Sequence, residues 1–492
     1  MQKETGIFIR NYMLYILRWI VLALVIGVIC GILGALFYNG VALVTWLREE
    51  NEWLLYLMPA AGLLIVFMYV KLDLVGAGTD TIIDAARDGS QLRFRLIPAI
   101  FFGTLLTHLT GGSSGREGAA LQLGGDIGSH VGRMFRLDED DMKIVTMTGM
   151  AAFFSALFGT PLTATVFVSF FVAVGHVYSA AMFPGLISSV AAYAISRELG
   201  MQPFRFAVVM PEFQVLMALK VLLLAALCGL VSSLFIETLH LTKRMYKRFV
   251  RNPYVRVIVG ACLVILLTKL VGTYDYNGAG TNVIKAAIED GTTHPLAFLF
   301  KIIFTALTLE CGFKGGEIVP TFFIGATFGC VMGPLLGIPA TFGAAIGLTA
   351  TFAGATNSII APICLAVEAF GGGGILYFAI ACAVAFTTSA YDGLYASQII
   401  VFSKVSAHRL DMKAGHIPYE HPRRGIRKAM QKTAEAAAHT DVEDPRSRMK
   451  KELRREKLER IMEFGRKRDA EKARRQAGQE EAERHQPDKH SC

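Results

Sequence analysis

Two glycine-rich stretches carry the residues best suited to chemistry: GGSSGREG at 111–118 and GFKGGEIVP at 312–320. A glycine-rich turn that opens a helix presents several unpaired backbone N–H groups, and the helix dipole adds positive potential at the same end. In a low-dielectric setting this binds a small anion without a full positive charge. GAG at 76–78 and AGATNS at 353–358 offer turns of the same kind. Glu117 sits within the first stretch. A carboxylate at a helix N-terminus is itself an anion, able to fill the place a permeant anion takes, and protonation makes it leave. Such a side chain gates anion flow or couples it to protons. The plainer role, an ion pair with Arg116, is disfavoured because adjacent helix residues do not face each other. For the loops the plainer role is close helix packing through small residues.

Other polar groups lie in apolar runs. Glu317 reads as a second titrating group. Lys301 and Glu310 bracket FKIIFTALTLE and read as caps or snorkelling groups at helix ends. Glu368 reads as a hydrogen-bonding group at a helix end, and Asp392 as shaping a turn with Gly393. Glu317, Glu368 and Lys301 are therefore accessory candidates beside Glu117. A different chemistry, an intramembrane serine protease, is suggested by Ser114 in a glycine turn with His108 nearby, but His176 and His240 look interfacial and leave it without a base. A membrane scaffold acting through its basic tail is a third class. The eight cysteines show no paired C-x-x-C spacing, which argues against a zinc site or a disulfide framework. No metal, cofactor or enzyme activity is implied, and no nucleic-acid partner.

The elements that must position these groups are membrane spans. The chain of 492 residues is 53% hydrophobic and 18% charged, with apolar segments separated by short polar turns, as in a polytopic membrane protein. Apolar runs at 97–109, 296–309, 375–389 and 394–403 are shorter than the roughly 20 residues of a perpendicular span. They read as broken or tilted helices, which membranes tolerate where the exposed backbone is buried in protein or lines a wet cavity. The chain also repeats itself: GAGTDTIIDAARDG at 76–89 returns as GAGTNVIKAAIEDG at 278–291, and GREG at 115–118 as GGEI at 315–318, which puts Glu117 opposite Glu317. Two such halves with a site at their interface are a common transporter plan, inverted if each half has an odd number of spans.

The expected organisation is a cytoplasmic N-terminal segment at 1–13, a first transmembrane repeat at 14–200, a connecting segment at 201–213, a second repeat at 214–405 and a basic, charged tail at 406–492. Residues 401–492 hold 24 Lys+Arg against 16 Asp+Glu, so most of the net +9 lies there. HPRRGIR at 421–427, following the last apolar run, places the tail in the cytoplasm by the positive-inside tendency. The tail reads as a solvated helix or a partly disordered segment, with a weak stripe of Met449, Leu453, Ile461 and Phe464. No cleavable signal is legible at Met1–Tyr12, and the cell membrane is the expected location.

Taken together, these motifs resemble the CLC family of chloride channels and anion/proton exchangers. GGSSGREGAALQLGG is similar to the family's G-R-E-G-x motif, GAGTDTII stands where its G-S-G-x-P type motif would, and GFKGGEIVPTFFIGATFG resembles its G-x-F-x-P motif. FAGATNSIIAPICLAVEAF and Tyr395 in SAYDGLYASQII complete a likeness over roughly 15–405. The resemblance implies an all-α membrane fold of two inverted halves meeting at a central anion site, and a homodimer with one pore per subunit; the tail shows nothing like the paired CBS domains of many larger members. It further implies anion contacts from Gly76, Ala77 and Gly78, from the backbone of Gly115, Arg116 and Gly118, and from Ile318 and Val319. Tyr395 would be a hydroxyl donor and Glu117 the gate. The implied function is chloride channel or chloride/proton antiporter. Ala77 departs from the usual serine, and GGEIVP is similar to the fluoride-exporting branch, so fluoride/proton antiport is the alternative, although that branch departs at the first motif in its own way. Where exchangers place an internal proton-transfer glutamate, this chain has Phe170 and Phe171. Protons then take another path, or coupling is lost.

Overall fold

The helix order repeats with the period of the motifs. In a computed structural model, which describes residues 2–389, 391, 393–405 and 409–414, the first half runs α1 (Gln2–Glu50), α2 (Met58–Lys71), α3 (Thr79–Asp88), α4 (Leu96–Leu109), α5 (Glu117–Met134), α6 (Glu139–Phe158), α7 (Pro161–Phe171) and α8 (Ser179–Glu198). The second half follows as α9 (Val215–Phe249), α10 (Pro253–Val271), α11 (Thr281–Lys285), α12 (Ala297–Cys311), α13 (Ile318–Leu335), α14 (Ala340–Thr356), α15 (Ile360–Phe370) and α16 (Ile375–Thr388). Packing repeats as well: α1 with α6 and α8, α5 with α6, and α7 with α8 are matched by α9 with α14 and α16, α13 with α14, and α15 with α16. Across the halves α2 meets α10, α7 meets α15, and α5 meets α13, each helix packing on its own counterpart. The loops leading into α5 and α13 pair antiparallel at Gly115 and Gly316. The two helices therefore enter the centre from opposite directions, as inverted halves require.

Local chemistry explains why the long apolar runs split. Run 143–174 breaks where Gly159 closes α6 in the left-handed conformation, at φ +67°, and Pro161 opens α7, where a missing N–H costs nothing. Run 341–370 breaks at Asn357, whose φ of +55° closes α14. Among the described residues seven helices are long and apolar enough to cross a membrane, and five more apolar helices have 10–17 residues. The segment at 394–403, read as a short apolar span, is instead a loop followed by a strand. Its β-branched Ile399, Ile400 and Val401 form β2 (Ile399–Phe402), between β1 (Ala173–Val174) in parallel and β3 (Arg409–Lys413) antiparallel. Residues 418–492, with the tail stripe, lie outside the described part, as does Asp392.

Close packing through small residues occurs on the helices as well as in the site loops. A Cβ on Gly124 of α5 would collide with the Gly149 carbonyl of α6, and one on Gly325 of α13 with the Gly347 carbonyl of α14. These symmetric contacts bring each site helix against its neighbour backbone to backbone. The helix that carries the site residue thereby gains a rigid support in both halves.

Candidate anion site between two helix N-termini

The site is built where the two glycine loops cross. Gly115 N donates to Gly316 O at 2.8 Å and Gly316 N to Gly115 O at 3.0 Å, a two-bond bridge between the halves. Each loop is also held by the other half's hydroxyls: Ser113 N donates to Thr308 Oγ1 at 3.1 Å and Lys314 N to Thr107 Oγ1 at 3.2 Å. No side chain fits at the crossing. A Cβ on Gly115 or Gly316 would run into the Glu117 carboxylate, and one on Gly118 would stand 2.7 Å from Gly315 O.

Glu117 is 0% exposed. Its Oε1 accepts from Val319 N at 2.9 Å, so a carboxylate at the start of α5 caps the start of α13. The backbone N–H groups of Arg116, Glu117 and Ile318 also face it. Among the described residues Oε2 has no hydrogen-bond partner. The carboxylate thus sits where two helix N-termini concentrate donors, a position that suits any small anion. Arg116 turns away, its guanidinium stacked over the Tyr38 ring at 4.5 Å and the Phe158 ring at 5.6 Å. It lines a cavity of about 520 Å³ with Tyr38, Arg48, His108, Asn277 and Val319. Three basic side chains and the donor of the Glu117 bond share that cavity, so it forms an approach to the site on the side where α1 ends.

Tyr395 lies within reach of the charges of Glu117 and Glu317. It is 2% exposed, its ring stands edge-on to Phe171 at 4.6 Å between centroids, and its hydroxyl has no partner among the described residues. An orphaned buried hydroxyl is a donor awaiting an acceptor. Its loop is rigid: Ser397 N donates to Asp80 Oδ1 at 2.8 Å, Ser397 Oγ to Asp84 Oδ2 at 3.0 Å, and Gln398 Nε2 to Phe171 O and Thr356 O at 3.0 and 3.1 Å. Gln398, Asp80 and Asp84 were not evident as site residues from sequence. Their signal, a polar residue beside an apolar strand and two acids one turn apart, is common on any surface helix.

The amides of the first glycine motif have partners of their own. Ala77 N is bonded to Leu74 O at 2.9 Å and Gly78 N to Thr81 Oγ1 at 3.4 Å, so these amides close the turn into α3. Gly76 is exposed, with φ +88° and no atom within 4 Å of a built Cβ. What this loop brings to the site is Thr79, whose Oγ1 would lie 3.4 Å from a Cβ on Gly118. Glu317 stands at the start of α13, its Oε2 without a partner among the described residues, close enough for its charge to act on Glu117 and Tyr395.

Lys301 does not snorkel. It is 0% exposed, and its Nζ donates to Gly278 O at 2.7 Å and Tyr276 O at 3.2 Å while facing the Phe323 ring at 5.0 Å. Gly278 O also accepts from Ser114 N at 3.2 Å, which ties the second GAG loop to the GREG loop. Glu368 is a cap, not a pore group: its oxygens accept from Leu162 N at 2.9 Å, Thr163 N at 2.8 Å and Thr163 Oγ1 at 2.6 Å at the start of α7. Glu368→Ala is expected to cost about 1–3 kcal/mol, the range for a charged helix cap with bonds to both backbone and hydroxyl, read as a lower thermal midpoint in detergent with halide selectivity unchanged. His108 Nε2 addresses Gly115 O at 3.4 Å rather than Ser114 Oγ, which has no partner among the described residues. That geometry provides no activated nucleophile.

Comparison with known proteins agrees with this fold. Residues 61–390 match the family model described as voltage gated chloride channel. The chain is 32% identical over 400 residues to a chloride/fluoride channel protein of Pseudomonas syringae pv. tomato, covering 79% of this chain and 88% of that protein. It is 29% identical over 383 residues to an H(+)/Cl(−) exchange transporter of Vibrio cholerae, covering 70% and 81%. Among solved structures, a CLC-type fluoride/proton antiporter superposes with a TM-score of 0.75 at 34% identity over 78% of this chain and 98% of its own. A slow cyanobacterial Cl−/H+ antiporter shares the fold, with a TM-score of 0.67 at 20% identity over 76% and 94%.

Proposed function

The chain belongs to the CLC family of voltage-gated chloride channels, and on that premise we propose that it is a proton-coupled halide antiporter in which Glu117 alternates with the halide at one site. It is a multi-pass membrane protein and a halide transporter. The observation that carries the finer reading is the Glu117 carboxylate held on Val319 N, where two helix N-termini converge. Ionised, the side chain fills the anion position; neutral, it gives up the charge that competes with a halide and swings toward the cavity lined by Arg116 and His108. The halide then takes the Val319 and Ile318 amides, with Tyr395 as a hydroxyl donor and Glu317 as a second titrating group.

Fluoride is the halide favoured. The likeness to the fluoride/proton antiporter and to the chloride/fluoride channel supports it, and the chain has no hydroxyl at position 77. Chloride remains the second reading, supported by the likeness to the chloride exchanger. Orientation follows the basic turn between α9 and α10, with Lys243, Arg244, Lys247, Arg248 and Arg251, against the acidic Glu49, Glu50 and Glu52 where α1 ends. That asymmetry supports a cytoplasmic α9–α10 turn, and the Lys and Arg surplus of residues 401–492 supports the same side for the tail. Exposed apolar side chains on α8 and α9, such as Phe183, Leu186, Leu219 and Leu222, fit lipid and a second copy in a homodimer in the cell membrane.

Efflux of fluoride and of chloride from proteoliposomes, with external pH recorded, tests the reading. Uphill proton uptake driven by one halide names the substrate; halide flux without proton movement would make the protein a channel. Tyr395→Phe is expected to slow that flux by roughly two- to tenfold, one hydrogen bond of about 0.5–1.5 kcal/mol, because the backbone amides supply most of the coordination. Complete loss of halide binding in that variant would reverse the ranking.

A further inference from the structure

A second polar line runs along α5 away from Glu117. Gln122, Asp126, Ser129, His130 and Arg133 recur at spacings of three and four and so share one face of the helix. Gln122, Asp126 and Ser129 are buried, Asp126 completely, in a protein core where a polar group without partners is costly. His130 Nδ1 stands 2.8 Å from the Asp126 carbonyl, with hydrogen-bond alignment, and 3.0 Å from Asp126 Oδ1 without it. Among the described residues neither carboxylate oxygen therefore accepts an aligned bond, and Gln122 Oε1 and Ser129 Oγ are likewise without partners. An asparagine or leucine would pack here at lower cost, so packing does not account for the acid.

Both ends of the line lead somewhere. At one end Arg133 contacts His130 Nε2, donates to Leu92 O at 3.1 Å and lines a cavity of about 310 Å³ with Asp88, Gly89, Gln91 and Glu139. That cavity lies on the side of the Tyr395 loop, since Arg87 of α3 donates to Ser397 O at 3.0 Å. At the other end Gln122 Nε2 donates to Thr79 Oγ1 at 3.3 Å, beside Gly118 and so one residue from the gate. Over the eleven helical steps from Gln122 to Arg133 the line is about 16 Å long at the usual rise.

We infer that Asp126 and His130 form a proton relay between this cavity and the anion site. With the Arg133 guanidinium moved aside, His130 Nε2 takes a proton from the cavity. The imidazolium then passes its Nδ1 proton to Asp126 Oδ1, leaving a neutral ring and a neutral carboxyl. The carboxyl releases the proton toward Gln122 and Thr79, whose oxygens can hold bridging water as far as Glu117. The charged groups facing the pair are Arg133 and, at the cavity, Asp88 and Glu139. Phe94, before α4, stands edge-on to the His130 ring at 5.1 Å between centroids and does not titrate. The relay rests on the proton-coupled reading above and supplies a route that Phe170 and Phe171 cannot.

The test is simultaneous recording of halide efflux and proton uptake in proteoliposomes of the full chain, for wild type, Asp126→Asn, Asp126→Glu and His130→Gln. Asp126→Asn is expected to cut proton uptake at least about tenfold, the low end for loss of a proton-transfer group. Halide efflux should change far less, because Glu117 still exchanges protons with the outer cavity. Asp126→Glu should restore part of the coupling, and His130→Gln should lower the proton-to-halide ratio in the same direction. A purely structural role would move both fluxes together and leave that ratio unchanged. An unchanged ratio in Asp126→Asn and His130→Gln, with wild type coupled, overturns the relay alone. Wild-type halide flux without proton movement overturns the coupled reading and the relay with it. If Asp126→Asn is not monodisperse, His130→Gln, altered at a site 27% exposed, decides the matter by the same ratio.

Discussion

Glu117→Gln is expected to abolish proton uptake and to leave a halide flux that no longer changes with pH. Glutamine keeps the shape of the side chain and a carbonyl oxygen able to accept from Val319 N, so the loops at Gly115 and Gly316 need not move. What it loses is the charge. A hydrogen bond to a charged group contributes about 1.5–3 kcal/mol and a neutral one about 0.5–1.5, so the plug weakens by roughly 1 kcal/mol or more against an anion that keeps its full charge. Glu117→Ala removes the plug altogether and should pass halide faster still. The sign with pH follows: in wild type, acidification increases the neutral form that vacates the site and raises flux, whereas both variants stay flat. Proteoliposome flux measured across external pH checks this. Persistent pH dependence in both variants would take Glu117 out of the mechanism.

How far the sequence discloses this site depends on the kind of feature. A carboxylate in a glycine loop within an apolar run stands out because each part is unusual where it occurs, and the repeat at 76–89 and 278–291 shows that the chain is duplicated. The antiparallel bridge from Gly115 to Gly316 is not legible, since it depends on how two distant loops cross. Nor is it evident which amides remain free. Ala77 and Gly78 look equivalent to the other loop residues until the turn into α3 takes up their N–H groups. The breaks at Gly159–Pro161 and at Asn357 follow ordinary helix-stop chemistry, but two helices and one long helix have the same hydropathy. The polar spacing of Gln122, Asp126 and His130 is present in the sequence, yet only burial distinguishes it from a solvated face.

Lys301 shows the same dependence on burial, and it yields the second large effect. Read at the end of FKIIFTALTLE it resembles a side chain reaching for the interface; enclosed, its amine donates to two carbonyls and faces an aromatic ring. Lys301→Met keeps the length of the side chain and removes its donors. The Tyr276 carbonyl then loses the partner it has here, and Gly278 O keeps only Ser114 N. At about 1–3 kcal/mol for a buried polar group left unpaired, the fold should lose on the order of 3 kcal/mol. A second loss should fall on the halide, because a buried cation contributes on the order of 2 kcal/mol to a nearby anion at an effective dielectric of about 20, roughly a thirtyfold change in Kd. Calorimetric titration of halide into monodisperse protein separates the two. A lower thermal midpoint with unchanged Kd would make Lys301 a brace for the Gly278 loop alone. A weakened Kd that Lys301→Arg largely restores would make its charge part of the anion site.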